Sequence, residues 1–118
     1  VFRYVCAGHP HPLRVSRSGH IEELPGSGLP IGFEADPAMV ERTVRLEAGD
    51  RVYLYTDGCF ETANEQGESF GEDRFRAQLV SARAAGLEEG VRDTAAQVRA
   101  WAEGRPQDDI SILAFEVE

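Results

Sequence analysis

The sequence has no lysine, so all 12 of its basic residues are arginines, and 21 acidic residues outnumber them. The formal net charge is therefore −9. A protein that binds duplex nucleic acid needs a basic surface that displaces counterions from the phosphates. We therefore expect no nucleic-acid partner.

Cysteine and long apolar runs are also scarce. The two cysteines, Cys6 and Cys59, are too few for a disulfide scaffold. No apolar run exceeds four residues, whereas a membrane-spanning helix needs about 20. A chain of 118 residues is the length of one domain. We therefore expect a single acidic domain, without a membrane segment, located in the cytoplasm.

The first half of the chain predicts strands joined by turns, because apolar and β-branched runs alternate with Gly and Pro. The segments 13–16 and 20–24, joined by a turn, are predicted to form a hairpin. Residues 51–55 are apolar on both faces, which is typical of a central buried strand. Two further strands are predicted over residues 2–7 and 39–46, with an irregular loop over residues 25–37.

The second half changes to helical spacing. Phe75, Leu79 and Ala82 predict one helix that ends near Gly86, with Arg74, Arg76 and Arg83 on its solvated face. Residues 87–102 predict a second, amphipathic helix of about four turns. Residues 110–117 predict a final strand, buried on both faces. Strands followed by two helices and a returning strand indicate an α+β domain.

Acidic residues stand at the ends of two predicted strands. Asp57 follows the strand 51–55, and Asp108 and Asp109 directly precede the last strand. If these strands are antiparallel neighbours, the carboxylates converge on one edge of the sheet. Two like charges about 4 Å apart repel by roughly 4 kcal/mol at an effective dielectric of 20. Such a pair needs a proton or a cation, and oxygen ligands favour Mg²⁺, Mn²⁺ or Ca²⁺ over Zn²⁺.

Two other interpretations remain open at this point. In the plainer one, Asp57 belongs to a turn and Asp108 caps the start of a strand. In the other, Cys6, His9 and His11 bind zinc with Cys59, although the paired short spacings of structural zinc sites are absent.

Five short motifs, in order, resemble the carboxyl-terminal half of a known enzyme family. Residues 54–61 (LYTDGCFE), then Phe70-Gly71, then 108–113 (DDISIL) resemble metal-dependent serine/threonine phosphatases of the protein phosphatase 2C superfamily. Residues 7–12 (AGHPHP) and 28–32 (GLPIG) match its bacterial branch of stage II sporulation and sigma-factor-regulating phosphatases. The similarity covers essentially the whole chain.

The resemblance implies a β-sandwich flanked by helices, with two divalent cations, Mn²⁺ or Mg²⁺, at one edge. A water that bridges the two ions would attack the phosphorus of a phosphoserine or phosphothreonine. The implied substrate is a phosphorylated regulatory protein, an anti-sigma-factor antagonist by analogy. By position, Asp57 and Asp108 are the implied metal ligands. Asp109 falls where relatives carry Asp or Asn and is not expected to be essential. Gly58, Asp109 and His9 are expected to support the site or to position its loop.

The chain departs from the family pattern in one respect. The other metal-binding acids of the family lie on amino-terminal strands that have no counterpart in this sequence. We therefore expect residues 1–118 to be the carboxyl-terminal portion of a single phosphatase domain, inactive when isolated. An upstream sensory domain and a dimer are both compatible with this expectation. The alternative is a degenerate domain that acts as a non-catalytic interaction or regulatory module, but the presence of both Asp57 and Asp108 favours the enzyme.

Overall fold

The computed structural model describes residues 1–26, 32, 40–105 and 109–118. Within these residues the chain forms six strands and three helices. The strands are β1 (Phe2–Tyr4), β2 (Leu13–Val15), β3 (Ile21–Glu23), β4 (Arg42–Val44), β5 (Arg51–Tyr55) and β6 (Ile112–Glu116). The helices are α1 (Gly58–Glu61), α2 (Glu72–Ser81) and α3 (Leu87–Ala102), and a 3₁₀ turn (Ala82–Ala84) follows α2.

Four of the strands form an antiparallel sheet in the order β3-β2-β5-β6. The strand β5 lies in the interior of this sheet, as its apolar sequence predicts, and four of its five residues are buried. The hairpin predicted from residues 13–24 is also confirmed, because β2 pairs with β3. In the pairing of β5 with β6, Tyr55 lies opposite Ile112, so the end of β5 adjoins the start of β6.

A second, two-stranded antiparallel sheet is formed by β1 and β4. The ring of Phe2 in β1 packs 5.4 Å from the ring of Phe115 in β6. Since Ala114 packs against the core and successive side chains alternate, Phe115 contacts the smaller sheet on the opposite face. The strands predicted over residues 2–7 and 39–46 are present with shorter bounds. Most of the predicted loop 25–37 lies outside the described residues.

Helices α2 and α3 cover the other face of the four-stranded sheet, as the helical spacing predicts. The core between sheet and helices consists of Leu13, Val15, Tyr53, Tyr55, Cys59, Phe70, Phe75, Leu79 and Val98. Gly90 lets α3 approach the 3₁₀ turn, since a Cβ there would lie 3.1 Å from the Cβ of Ala82. No helix in the described part of the chain has the length and hydrophobicity needed to cross a bilayer.

The final strand differs from its prediction. It begins at Ile112 and, within the described residues, forms the edge of the larger sheet. Leu113 is 65% exposed, so the expectation that the strand is buried on both faces is wrong. The helices cover only one face of β6, and Leu113 lies on the other face.

The arginines of α2 and of the turn that follows it contact neighbouring segments in addition to solvent. Arg74 donates to the carbonyls of Ser69 and Phe70 and lies 4.2 Å from the Trp101 ring centroid. Arg83 donates to the Gly49 carbonyl at 2.8 Å. Arg74 is therefore exposed as predicted, although it also contacts the main chain and an aromatic ring, whereas Arg83 is largely covered.

Candidate functional site

Asp57 lies directly beyond the central strand β5, at the start of α1. Its main-chain carbonyl accepts hydrogen bonds from the N–H groups of Phe60 at 3.1 Å and Glu61 at 2.9 Å, so its backbone holds the first turn of α1. Its side chain makes no capping hydrogen bond to the helix. The turn-or-cap interpretation therefore explains the backbone of Asp57 but does not account for its exposed carboxylate.

Thr56 joins the end of β5 to the segment that leads into β6. Its hydroxyl donates to the Asp109 carbonyl at 2.8 Å and accepts from the Ser111 N–H at 3.0 Å. Its own N–H donates to the Ser111 carbonyl at 3.1 Å. The strands β5 and β6 are antiparallel neighbours, which is the condition under which the acids converge, so Asp57 and Asp109 lie at the same sheet edge. Asp108 lies outside the described residues.

A cavity of about 390 Å³, here called the Asp109 cavity, opens at this edge. It is lined by His9, Thr56, Asp57, Gly58, Glu61 and Asp109. The fold thus gathers four of the residues singled out from the sequence, and it adds Thr56 and Glu61. Glu61 follows Asp57 by four positions, which places both acids on one side of a helical turn. The four-residue spacing between Asp57 and Glu61 could therefore have identified Glu61 as a candidate site residue from the sequence.

A second cavity of about 280 Å³, here called the Glu23 cavity, shares His9 and Asp57 with the first. One of its walls is the His-Pro loop (residues 8–12), and others come from β3 and α2. The Tyr55 hydroxyl, which also lines this cavity, donates to the His11 carbonyl at 2.9 Å. Burial raises the pKa of Tyr55 to about 12, so the hydroxyl keeps its proton at neutral pH.

The side-chain oxygens of Asp57, Glu61 and Asp109 fit a hard divalent cation in kind, because such ions prefer carboxylate ligands. Three carboxylates are, however, too few to complete the coordination shell of such an ion. Within residues 1–26, 32, 40–105 and 109–118, no group of three or more His, Cys, Asp or Glu residues is placed to hold a metal ion. The carboxylates are therefore of the right chemical kind for such an ion, and the described residues alone do not form a metal site.

The zinc interpretation finds no support in the described residues, which include both cysteines and all three histidines. The Cys59 thiol is buried and donates to the Ser111 carbonyl at 3.6 Å. Burial raises the pKa of Cys59, which favours the thiol over the thiolate that binds zinc. His11 instead contacts Glu23, with 2.7 Å between Nδ1 and Oε1.

Comparisons with known proteins agree with this architecture. The model of the stage II sporulation protein E (SpoIIE) family matches residues 1–118. No curated protein matches the chain. Among solved structures, the SiaA-PP2C domain of Pseudomonas aeruginosa is 31% identical, with a TM-score of 0.77 over 95% of this chain and 44% of that one.

Two more distant structures share the fold. The RsbU and RsbW domains of a Mycobacterium tuberculosis protein are 21% identical, with a TM-score of 0.68 over 98% of this chain and 32% of theirs. The phosphatase domain of SpoIIE from Bacillus subtilis, in a Mn-presoaked form, is 18% identical, with a TM-score of 0.66 over 98% of this chain and 50% of that one. The chain thus spans half or less of each structure. Since the family model extends over every residue, the chain belongs to the SpoIIE family of PP2C-type phosphatase domains.

Proposed function

We propose that residues 1–118 are the carboxyl-terminal portion of one phosphatase domain and that the intact protein hydrolyses phosphoserine or phosphothreonine on a regulatory protein. The supporting observation is the position of Asp57. Its carboxylate makes no capping bond, and it shares a cavity with Asp109 at the edge where β5 meets β6. Because the family model matches the whole chain, phosphatase chemistry is the activity that we assign to this edge of the sheet.

Asp57 and Asp108 are the proposed ligands for two divalent cations, Mn²⁺ or Mg²⁺, and the remaining ligands would come from the rest of the domain. When bound, such ions activate water and stabilise charge on the phosphoryl oxygens. The Mn-presoaked form of the B. subtilis relative is in keeping with this choice of cation. Asp109, whose backbone is held by Thr56, is proposed to support the site without being an essential ligand.

The proposed substrate is a phosphorylated anti-sigma-factor antagonist, by analogy with the sporulation and sigma-factor branch of the family. A cytoplasmic location, an upstream sensory domain and a dimer belong to the same proposal. Phosphate release from a phosphorylated antagonist, compared with an unrelated phosphoprotein, tests this choice of substrate. Equal rates on both would contradict it.

The proposed function is tested by phosphate release from a phosphoserine protein with Mn²⁺ in excess, using the intact protein. We expect metal-dependent turnover that Asp57→Asn lowers by at least about a hundredfold, as expected when charge stabilisation of the transition state is lost. Asp93→Asn, an exposed aspartate of α3, is the matched control and should retain activity. Absence of turnover in the intact wild-type protein would instead support the non-catalytic regulatory module.

A further inference from the structure

The His-Pro loop lines the Glu23 cavity, and its His9 also lines the Asp109 cavity, yet few of its own main-chain N–H groups can hold it there. Pro10 and Pro12 have no N–H, so only Gly8, His9 and His11 can donate from the main chain. Gly8 has a φ of 73°, a conformation that side chains disfavour, so the loop enters by a glycine-dependent turn. The position of the loop therefore depends on groups outside it.

Two of these groups lie on the sheet. The Tyr55 hydroxyl donates to the His11 carbonyl at 2.9 Å, from a side chain packed in the core. Glu23, in β3, lies 2.7 Å from Nδ1 of His11. A carboxylate only accepts, so Nδ1 of His11 carries the proton. His11 is therefore held at both its main chain and its ring.

The second oxygen of Glu23 is oriented from the helix layer. Oε2 of Glu23 lies 3.5 Å from Nη2 of Arg76 in α2, while Oε1 contacts His11. Arg76 also lines the Glu23 cavity. The Glu23 carboxylate thus bridges the loop and the helix that face each other across this cavity.

We propose that Tyr55 and Glu23 are positioning residues that hold the His-Pro loop, and with it His9, against Asp57. This inference rests on the proposed function for its catalytic consequence, though not for the loop contacts themselves. His9 is the lining residue, besides Asp57, that the two cavities share, so displacement of the loop would alter the surface that a phosphoprotein meets beside Asp57. The metal ligands would remain in place.

The test uses the intact protein with Tyr55→Phe, Glu23→Gln and Glu23→Ala. The amide ¹⁵N order parameters of Gly8, His9 and His11 are measured by NMR relaxation. Loss of one hydrogen bond to the loop should lower them in Tyr55→Phe and Glu23→Ala, from about 0.85, which is typical of rigid backbone, toward about 0.6. Glu23→Gln keeps an acceptor for His11 and should restore the wild-type values. Strand β5 should keep its wild-type order parameters in all three variants.

Tyr4→Phe is a matched control, because the Tyr4 hydroxyl also donates to a proline carbonyl, that of Pro25. It should leave the order parameters of the His-Pro loop unchanged. Unchanged loop order parameters in both Tyr55→Phe and Glu23→Ala, or an equal change in Tyr4→Phe, would overturn the positioning role.

Kinetics separate the positioning role from the proposed function. In Tyr55→Phe we expect KM for the phosphoprotein to rise roughly five- to tenfold, with kcat and the Mn²⁺ concentration for half-maximal activity nearly unchanged. An equal loss of kcat and kcat/KM with an unchanged KM would contradict the proposed role. A wild-type protein without metal-dependent turnover would refute the proposed function, while the order parameters of the loop would still decide the positioning role.

Discussion

At the residue scale, the side chain of Asp57 is the group on which the proposed site depends. Its main-chain carbonyl already holds α1, and its carboxylate makes no capping bond to that helix. The buried residues on either side, Tyr55 and Cys59, fix the backbone of Asp57 at the sheet edge. A fixed backbone limits where the Asp57 carboxylate can lie, which reduces the ordering that cation binding requires.

His9 should contribute to the site by position and not as a general base. Its Nδ1 lies 3.0 Å from the Pro10 carbonyl, which only accepts, so Nδ1 donates within the loop. General acid–base catalysis contributes about 10²- to 10⁴-fold, so His9→Gln should lower kcat by less than about tenfold if His9 has no such role. The measurement is kcat against pH in the intact protein. A loss as large as in Asp57→Asn, in a folded variant, would show that His9 acts in catalysis.

At the element scale, Thr56 connects the central strand to the start of the last strand. Three hydrogen bonds join Thr56 to the backbone of Asp109 and Ser111. Two of them use the hydroxyl, so the side chain as well as the sheet ladder fixes the segment that carries Asp109. The geometry of the candidate site therefore depends on this threonine.

Thr56→Val should destabilise the protein by about 1–2 kcal/mol, because it leaves the Asp109 carbonyl and the Ser111 N–H without their side-chain partner. The free energy of unfolding, measured by urea denaturation of the intact protein, checks this value. Thr43→Val, on the exposed face of β4, is the isosteric control and should change stability by less than about 0.5 kcal/mol. Equal losses of stability in Thr56→Val and Thr43→Val would show that the hydrogen bonds of the Thr56 hydroxyl do not stabilise the protein.

At the opposite end of β5, Arg51 joins β5, β6 and the turn after α2. Its buried guanidinium donates to Glu116 at 2.8 Å and to the carbonyls of Ala82 and Ala85 at 3.0 and 2.8 Å. The hydrogen bond from Arg51 lowers the pKa of Glu116 below its ordinary value. Folding therefore disfavours protonation of Glu116, and the stabilisation is present above its unfolded pKa and lost as pH falls through its folded pKa.

Glu116→Gln should therefore cost more stability near neutral pH than in acid. We expect the stability difference from wild type to shrink between about pH 6 and about pH 3, the range around the ordinary glutamate pKa. Urea denaturation of the intact protein across this range measures the difference. Glu88→Gln, at an exposed i,i+4 pair with Arg92, should show little effect at any of these pH values. A loss of stability in Glu116→Gln that becomes larger in acid would contradict the stabilising role of the hydrogen bond between Arg51 and Glu116.

The elements that the sequence predicted well are those with a strong period or a wholly apolar run. Strand β5 and helix α3 are of this kind, and both are present with the expected bounds. Helix α1 was not predicted, because its four residues are too few to show a helical period. The exposed side of β6 could not be predicted, because apolar residues on both faces do not reveal which face is covered. The contact of Arg83 with the Gly49 carbonyl and that of Arg74 with the Trp101 ring join residues distant in sequence, so the local pattern does not reveal them.

At the scale of the whole molecule, the described sheets leave apolar surface uncovered. Leu113 in the edge strand β6 is 65% exposed, and it lies opposite Leu54 of β5 on the same sheet face. The chain spans only 44% of the P. aeruginosa domain that it resembles. An uncovered sheet edge with apolar side chains favours pairing with another chain. The remainder of the proposed domain is the natural cover for this surface.

The 118-residue chain alone should therefore associate and should not turn over a phosphoprotein, even with Mn²⁺ in excess. Hard cations take about six oxygen ligands each, and the described carboxylates supply only part of a shell. Sedimentation measures association, and Leu113→Glu should reduce it by charging the exposed face. Metal-dependent turnover by the bare chain within about tenfold of the intact protein would refute the partial-site proposal.

The most direct test of the proposed metal site is calorimetric titration of the intact protein with Mn²⁺. Loss of a group that only supports a metal ligand typically lowers affinity by about 10- to 100-fold, so loss of a direct ligand in Asp57→Asn or Asp108→Asn should lower it by at least about a hundredfold. Asp109→Asn should be milder, about tenfold at most, and the control Asp93→Asn should keep the wild-type affinity. Wild-type Mn²⁺ affinity in both Asp57→Asn and Asp108→Asn would contradict the assignment of these two aspartates as ligands.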